Sequence, residues 1–196
     1  MNEMEAPIDG RSGGRTSIEA LRTEALTCLR CPLATSRRNV VFDDGDATAD
    51  LMILGEAPGE EEDAGGRPFV GRAGRVLDGL LEGINLTRSS VWVANVVMCR
   101  PPNNRPPRVR DEIAACSKYL DDQIALVEPR VILALGATAT RRLLGRGTLS
   151  GRLDTRPKVG QVMVVPTYHP AALNRANGRW GQVREDFEAA RTRLAK

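Results

Sequence analysis

The chain has 196 residues, of which 41% are hydrophobic and 27% are charged. This length suits one core of ordinary size better than two, so we expect a single soluble domain. No apolar run approaches the roughly 18 to 20 residues of a membrane span, and the first residues lack the apolar stretch of a secretion signal. The 28 Lys and Arg residues exceed the 25 Asp and Glu residues by too little to indicate a polyanion partner. Arg residues nevertheless gather at 37–38, 100–110 and 141–156, which fits either solvated faces or a phosphate-binding surface.

The N-terminal segment predicts a tail followed by a helix. Residues 1–15 contain almost nothing to bury, so we expect a disordered tail there and a single domain over residues 16–196. From Ser17 onward apolar residues recur at helical spacing, and Ser17 itself suits an N-cap. Because Pro32 ends this pattern, the cysteine pair in CLRC is expected where the helix ends.

The remaining chain alternates strand-like and helix-like segments. Four apolar runs predict strands, namely LMILG, VWVANVV, VILALG and QVMVVPT. A Gly-broken loop to residue 74 and helices at residues 74–84, 111–127, 137–145 and 180–194 accompany them, with a hairpin partner near residues 148–154. Such alternation needs crossover connections, so we predict an α/β protein: a three-layer α/β/α sandwich with a central, mainly parallel four-stranded sheet. Ligands bind such sheets outside the carboxyl ends of the strands.

Four cysteines indicate a metal centre. Cys28 and Cys31 form a C-x-x-C pair, whereas Cys99 and Cys116 come from distant sequence. Structural disulfides are rare in a chain with no sign of export. Four thiolates suit tetrahedral zinc and an iron–sulfur cluster equally well, so the spacing leaves that choice open. Four ordinary buried cysteines and a thioredoxin-like redox role are the alternatives. The redox role is disfavoured because Cys31 is followed by Pro-Leu and the pair does not follow a strand.

Polar residues lie in or directly after three of the predicted strands. The segment GEAPGEEED lacks both G-x-G-x-x-G and Gly-Lys-Ser/Thr, so it does not indicate NAD or ATP binding. Its carboxylates suit either a water-holding base or a solvated acidic loop. Asn95 interrupts an apolar strand and must find hydrogen-bond partners there. His169 is the only histidine, and the following Pro170 restricts its backbone; both side chains also admit purely structural roles.

Taken in order, these segments resemble family 4 of the uracil-DNA glycosylase superfamily, the iron–sulfur-containing glycosylases of bacteria and archaea. The resemblance covers almost the whole chain and rests on the ordered set CLRCPL, GEAPGEEED, GRPFVGRAG, VANVVMCRPPNNRPP and YHPAAL. It implies that the protein hydrolyses the bond between uracil and deoxyribose in DNA after flipping the nucleotide out of the stack. It also implies a structural [4Fe–4S] cluster on the four cysteines, Cys28, Cys31, Cys99 and Cys116.

The resemblance assigns roles to three residues around the base. Phe69 matches the aromatic residue that stacks on uracil, and Asn95 matches the amide that pairs with the uracil edge. His169 matches the donor to uracil O2, where negative charge develops as the base departs. Cytosine presents the reverse donor and acceptor pattern at its edge, so it would leave polar groups of the site unpaired.

The group that holds the attacking water stays open. Better-known members of the superfamily have an Asp in this turn where the present chain has Ala57, next to Gly55 and Glu56. Glu56, a backbone carbonyl of the turn and Glu62 are the candidates, of which Glu56 ranks first. Glu62 alternatively shapes the loop or excludes a 5-methyl group. The Pro-rich loop contains no histidine of the kind that traps an abasic product covalently, so turnover is expected.

The partners expected from the resemblance are uracil-containing DNA as substrate and free uracil as product. Arg105 and the segment with Leu173 and Arg175 are predicted to contact DNA, with Leu173 or Arg175 as a wedge in the gap left by the base. We expect a monomer in the prokaryotic cytoplasm, associated with the nucleoid and not with a membrane. Two alternatives are an iron–sulfur DNA-binding or redox-sensing module without turnover, and a glycosylase for other deaminated bases such as hypoxanthine.

Overall fold

A six-stranded sheet forms the middle of the protein. The computed structural model describes residues 12–145, 158–159, 162–173 and 179–194. The strands are β1 (Asp44–Gly45), β2 (Leu51–Gly55), β3 (Trp92–Asn95), β4 (Val131–Leu135), β5 (Lys158–Val159) and β6 (Val162–Thr167). They lie in the order β1-β3-β2-β4-β6-β5. The predicted α/β fold is confirmed.

The four central strands are parallel, as predicted. The register pairs Gly55 at the end of β2 with Asn95 at the end of β3, so these two residues lie side by side. The two edge strands, β1 and β5, are antiparallel to their neighbours and only two residues long each. Sequence patterning missed them because two residues cannot display a period. The hairpin partner of β6 is β5, and the predicted partner at residues 148–154 lies outside the described residues.

Seven α-helices accompany the sheet in the described part of the chain. They are α1 (Ser12–Leu26), α2 (Glu60–Gly65), α3 (Arg72–Gly83), α4 (Ala114–Val127), α5 (Gly136–Leu144), α6 (Pro170–Leu173) and α7 (Trp180–Leu194). Helix α1 begins at Ser12, so residues 12–15 of the predicted tail are helical, and it ends before the first cysteine pair. The predicted loop before α3 also contains α2, which its run of acidic residues did not reveal.

Two apolar cores cover the two faces of the sheet. Met52 and Leu54 of β2 point into one core, with apolar residues of α1, α4 and α5. Leu51 and Ile53 of the same strand point into the other, with residues of α3, α6 and α7. Burial on both faces explains why the central strands are continuously apolar. In the described ranges, no helix is both long enough and apolar enough to cross a membrane.

Candidate active site and cysteine cluster

A cavity of about 660 Å³ opens where the parallel strands end. Its walls come from the turn after β2, the loop before α3, the end of β3, the Pro-rich loop, the start of α5 and the segment after β6. Its lining includes Glu56, Ala57, Gly59, Glu62, Phe69, Asn95, Arg105, Gly136 and His169. A cavity of this size accepts a small organic ligand. The predicted base-binding residues therefore surround one space.

Asn95 contributes an unpaired acceptor to this cavity. The residue is 3% exposed, and its Oδ1 atom has no hydrogen-bond partner among the described residues. Buried amide oxygens are normally paired, so this one is suited to a donor on a ligand. Gly55 makes the arrangement possible, because a Cβ atom there would lie 2.3 Å from Oδ1 of Asn95 and 2.6 Å from Cζ of Phe69.

Phe69 presents its ring to the cavity from an unusual backbone conformation. Its φ of 53° is left-handed, which costs a bulky residue about 1 kcal/mol or more. The ring stacks on His169 with centroids 5.7 Å apart and planes inclined by 27°. Gly74 allows this path, since a Cβ atom there would lie 1.7 Å from the carbonyl oxygen of Phe69.

His169 is held as a neutral donor. The backbone N–H of Ala171 donates to its Nδ1 atom over 3.2 Å, so the neutral ring carries its proton on Nε2. Burial lowers the pKa of His169 below its ordinary value of 6.5, and the charges of Glu56 and Glu62 oppose that shift. Gly136, with a φ of +88°, lets α5 begin against the ring, because its Cβ would lie 3.1 Å from Cβ of His169.

Glu56 and Glu62 have different surroundings. Glu56 accepts a hydrogen bond from the hydroxyl of Thr138 in α5 and lines the cavity. Glu62 accepts from the backbone N–H of Gly59 over 3.1 Å and from that of Gly71 over 2.9 Å. Because both of its oxygens already tie the turn after β2 to the start of α3, Glu62 is placed to shape the loop. Sequence reasoning missed Thr138, which lies 82 residues from its partner.

The three residues predicted to contact DNA differ in their surroundings. Arg105 lines the cavity rim and pairs with buried Glu112, whose Oε1 is 2.5 Å from its Nη2. Leu173 is 4% exposed and packs in the core with α3 and α7, so its position does not support the predicted wedge. Leu173 ends the single turn of α6, and the packing of this turn against other elements places its side chain inward, which the sequence alone did not indicate. Arg175 lies outside the described residues.

The four cysteines gather on the face of the sheet that carries α1 and α4. Cys99 and Cys116 are buried in that core, Cys28 and Cys31 pack against it, and none forms a disulfide. Burial raises the pKa of Cys116 to about 12, and the charges of the other three thiols add to this. In the described ranges, no three His, Cys, Asp or Glu side chains are close enough to hold one metal ion.

Arg37 is a charged neighbour of the cysteines. Its Nη1 atom donates to Sγ of Cys99 over 3.4 Å and to the carbonyl oxygen of Cys28 over 2.8 Å. It thereby links the segment after α1 to the loop after β3. The sequence placed Arg37 in an arginine pair but did not indicate a contact with the cysteines, because only the fold brings these segments together.

Most of the chain, including the elements that form the cavity, matches a known protein family. Residues 42–195 match the model of the uracil DNA glycosylase superfamily. The chain belongs to this superfamily. Among its relatives, a type-4 uracil-DNA glycosylase of Thermotoga maritima is 42% identical over 184 residues, covering 91% of this chain and 95% of the relative.

Two further relatives carry the same description. The type-4 uracil-DNA glycosylase of Sulfurisphaera tokodaii is 40% identical over 185 residues, covering 89% of this chain and 84% of the relative. That of Pyrobaculum aerophilum is 44% identical over 179 residues, covering 87% and 91%. The resemblance stated from the sequence motifs is confirmed.

Proposed function

We propose that this protein is a uracil-DNA glycosylase of base-excision repair, which hydrolyses the N-glycosidic bond of flipped-out deoxyuridine and leaves an abasic site. The observation that carries the proposal is the pairing of Asn95 and His169 in one cavity, with an unpaired acceptor on one and an N–H donor on the other. The type-4 relatives support the same activity. We assign it to the single domain predicted at residues 16–196.

Recognition begins with the flipped base. Flipping costs a few kcal/mol, least for a damaged or mispaired base, and the cavity repays that cost by stacking and edge contacts. Phe69 offers a ring face at one wall of the cavity. Oδ1 of Asn95 accepts from uracil N3–H, and the amide N–H of the same side chain donates to O4. Cytosine has no N3–H, so it would leave this oxygen unpaired, a penalty that discriminates strongly.

Bond cleavage moves negative charge onto the departing uracil. The Nε2–H of His169 donates to O2 and stabilises that charge as it develops. The neutral form suffices, and the lowered pKa of His169 keeps the ring neutral at physiological pH. No proton has to leave the imidazole, since the anionic base is stabilised by the hydrogen bond itself.

Water completes the reaction at the sugar carbon. Glu56 is the proposed group that orients this water and accepts its proton as the new C–O bond forms. The hydroxyl of Thr138 donates to the carboxylate of Glu56 and holds it at the cavity wall. Glu62 contributes through the backbone of the turn that carries Glu56, with no requirement for direct contact with the water.

We further propose that the four cysteines hold a [4Fe–4S] cluster. All four side chains belong to one core on the same face of the sheet, Cys99 and Cys116 within it and Cys28 and Cys31 packed against it, and none forms a disulfide. Four thiols gathered in this way would suit the thiolate ligand set of such a cluster. The cluster supplies a structural cross-link and takes no part in the hydrolysis.

The proposed partners follow from the same chemistry. The substrate is uracil-containing DNA, the product is free uracil, and Arg105 at the cavity rim is a proposed contact of the DNA strand. We propose that the protein acts as a monomer. We place the activity in the prokaryotic cytoplasm, at the nucleoid.

Substitution of the two pocket residues tests the proposal. Asn95→Ala and His169→Ala are each expected to slow uracil release from a uracil-bearing oligonucleotide about hundredfold or more. Release is measured as alkali-labile sites in single-turnover reactions. Lys118→Ala, on the exposed side of α4, serves as the control, and the visible absorbance of all variants checks that the cluster is intact. Normal rates in both pocket variants would overturn the proposal.

A substrate panel separates uracil from other deaminated bases. Oligonucleotides with uracil, xanthine or hypoxanthine at one position compete for the same enzyme. We expect preferential release of uracil, because its O2 adjoins the glycosidic nitrogen and can accept from His169 while N3–H and O4 meet Asn95. Hypoxanthine and xanthine have no oxygen next to their glycosidic nitrogen. Preferential release of hypoxanthine would assign the cavity to a different base.

A further inference from the structure

Arg88 makes an unusual set of contacts behind the cavity. It lies in the helical turn Arg88–Ser90 that precedes β3, and its side chain is 20% exposed. Its Nη1 atom donates to the carbonyl oxygen of Pro68 over 2.9 Å, and its Nη2 atom donates to that of Phe69. Two consecutive carbonyls therefore share one guanidinium group.

Two carboxylates hold this guanidinium in place. Its Nε atom donates to Oδ1 of Asp78 over 2.6 Å, and Nη1 also lies 3.1 Å from Oδ2 of Asp44. Asp44 belongs to β1 and Asp78 to α3. A planar group with several fixed donors can serve all four acceptors at once, which the ammonium of a lysine cannot do in the same geometry. Arg88 thus connects the Phe69 loop to two rigid elements.

The carbonyl of Phe69 needs such support. The left-handed backbone of this residue persists only where its surroundings hold it. Gly74 packs against the same carbonyl from one side, and Arg88 binds it by a charge-assisted hydrogen bond. The ring on the other side of this backbone reaches the cavity and His169. The contacts of the carbonyl therefore determine where the ring lies.

We propose that Arg88 is a positioning residue for base recognition, which sets the place of the Phe69 ring from outside the cavity. This inference rests on the proposed function, because it takes the ring as the stacking surface for the flipped uracil. Arg88 itself is not among the residues that line the cavity, so it acts only through Phe69. Its loss moves the ring while Asn95 and His169 keep their positions.

Arg67 provides a matched control. It pairs with the same carboxylate, with its Nη2 atom 3.0 Å from Oδ1 of Asp44, and its side chain is 63% exposed. Its two side-chain hydrogen bonds both go to the carboxylate of Asp44 and not to the carbonyl oxygen of Phe69. Arg67→Met therefore removes an arginine from Asp44 without releasing the aromatic residue.

The test compares holoenzyme variants by three measurements. Arg88→Met, Arg67→Met, Phe69→Ala and the double variant of Arg88→Met with Phe69→Ala are assayed for inhibition by free uracil and for single-turnover release from the uracil oligonucleotide. Amide hydrogen exchange over residues 66–72 reports the order of the loop without any substrate. Thermal unfolding and visible absorbance show whether each variant is folded. Arg88→Lys replaces Arg88→Met should the latter fail to fold.

Arg88→Met is expected to weaken inhibition by uracil about tenfold, as loss of base stacking does, and to speed exchange over residues 66–72. Arg67→Met is expected to change both by less than about twofold. In the Phe69→Ala background, Arg88→Met should add less than about twofold, because two residues that act through one contact are not additive. A purely structural role would lower the unfolding temperature without this dependence on Phe69.

Two results would overturn the positioning role: equal uracil inhibition in the Arg88→Met and Arg67→Met variants, or a full additional effect of Arg88→Met without the Phe69 ring. A different measurement tests the proposed function. Wild-type protein that releases no uracil would overturn that function, whereas faster exchange confined to the Arg88 variant would still support its hold on Phe69.

Discussion

The neutral state of His169 links the pocket to pH at the scale of one residue. Burial lowers the pKa of this imidazole in the folded protein, while the unfolded chain binds a proton near pH 6.5. The unfolded state therefore binds more protons below pH 6.5, and the folded state loses stability there. Above pH 6.5 the imidazole is neutral in both states, and this loss of stability disappears.

We expect the wild-type unfolding temperature to fall as the pH is lowered from 7 to 5, and to fall less in His169→Gln. The glutamine variant lacks the imidazole and so lacks this proton-linked loss. Thermal unfolding of both proteins across this range, at one scan rate, measures the difference. Parallel curves for the two proteins would show that His169 does not contribute to the pH dependence.

Arg105 allows a residue-scale prediction about DNA. A phosphate contact releases counterions, so each one adds about 0.9 to the slope of log affinity against log salt concentration. We expect Arg105→Ala to lower that slope by about 0.9 if its guanidinium meets one phosphate. Binding of an abasic-site duplex at several salt concentrations measures the slope, with Lys118→Ala as a control on α4. An unchanged slope would remove Arg105 from the DNA interface.

Some residues of the site could be predicted from the sequence and others could not. Asn95 stood out as an amide within an apolar strand, and His169 as the only histidine. Arg88 and Thr138 gave no such signal, because their partners lie 19 and 82 residues away. The burial of Leu173 could not be predicted either, since packing against other elements determines which side of a single helical turn is buried.

At the scale of elements, the close approach of β2 and β3 shapes the pocket. Gly55→Ala is expected to slow uracil release about hundredfold, since the new methyl group would displace the amide of Asn95 and the ring of Phe69. Single-turnover release measures the effect.

Gly79→Ala is the control for Gly55→Ala. Gly79 is exposed in α3 with nothing within 4 Å of an added Cβ, so its substitution should leave release unchanged. It should also raise the free energy of unfolding by about 0.5 to 1 kcal/mol, because alanine favours a helix interior over glycine. Equal rates in the two variants would show that Gly55 tolerates a side chain.

Element prediction succeeded where the sequence has a continuous apolar run or a long amphipathic pattern. The parallel strands and the helix at residues 180–194 follow clear apolar patterns, and the structure has them where the sequence placed them. Helix α2 has four acidic residues in its first turn and no apolar face; its buried side chain is Asp63, whose Oδ1 accepts from the backbone N–H of Arg38. Helix α1 begins at Ser12 although Gly13 and Gly14 disfavour a helix, so local propensity did not indicate its first turn.

At the scale of the whole molecule, the proposed cluster joins three distant parts of the chain. Its thiolates follow α1, follow β3 and lie within α4. Cys28→Ser is expected to lose the visible absorbance and to lower the unfolding temperature by about 10 °C, as loss of a covalent cross-link does in a chain of this size. Calorimetry and hydrogen exchange measure this, and faster exchange should concentrate in α1 and α4.

Wild-type protein depleted of iron is the companion sample. It should reproduce the exchange pattern of Cys28→Ser, because both lack the same cross-link. Full thermal stability of the depleted protein would show that the four cysteines do not staple the fold.

The walls of the cavity come from segments as far apart as Glu56 and His169. During synthesis on the ribosome, a chain that has emerged only through β4 already contains Phe69 and Asn95 but lacks the imidazole. It can neither complete the hollow nor polarise a departing base. A growing polypeptide therefore cannot release a base from DNA until β6 has joined the sheet and His169 has reached the cavity.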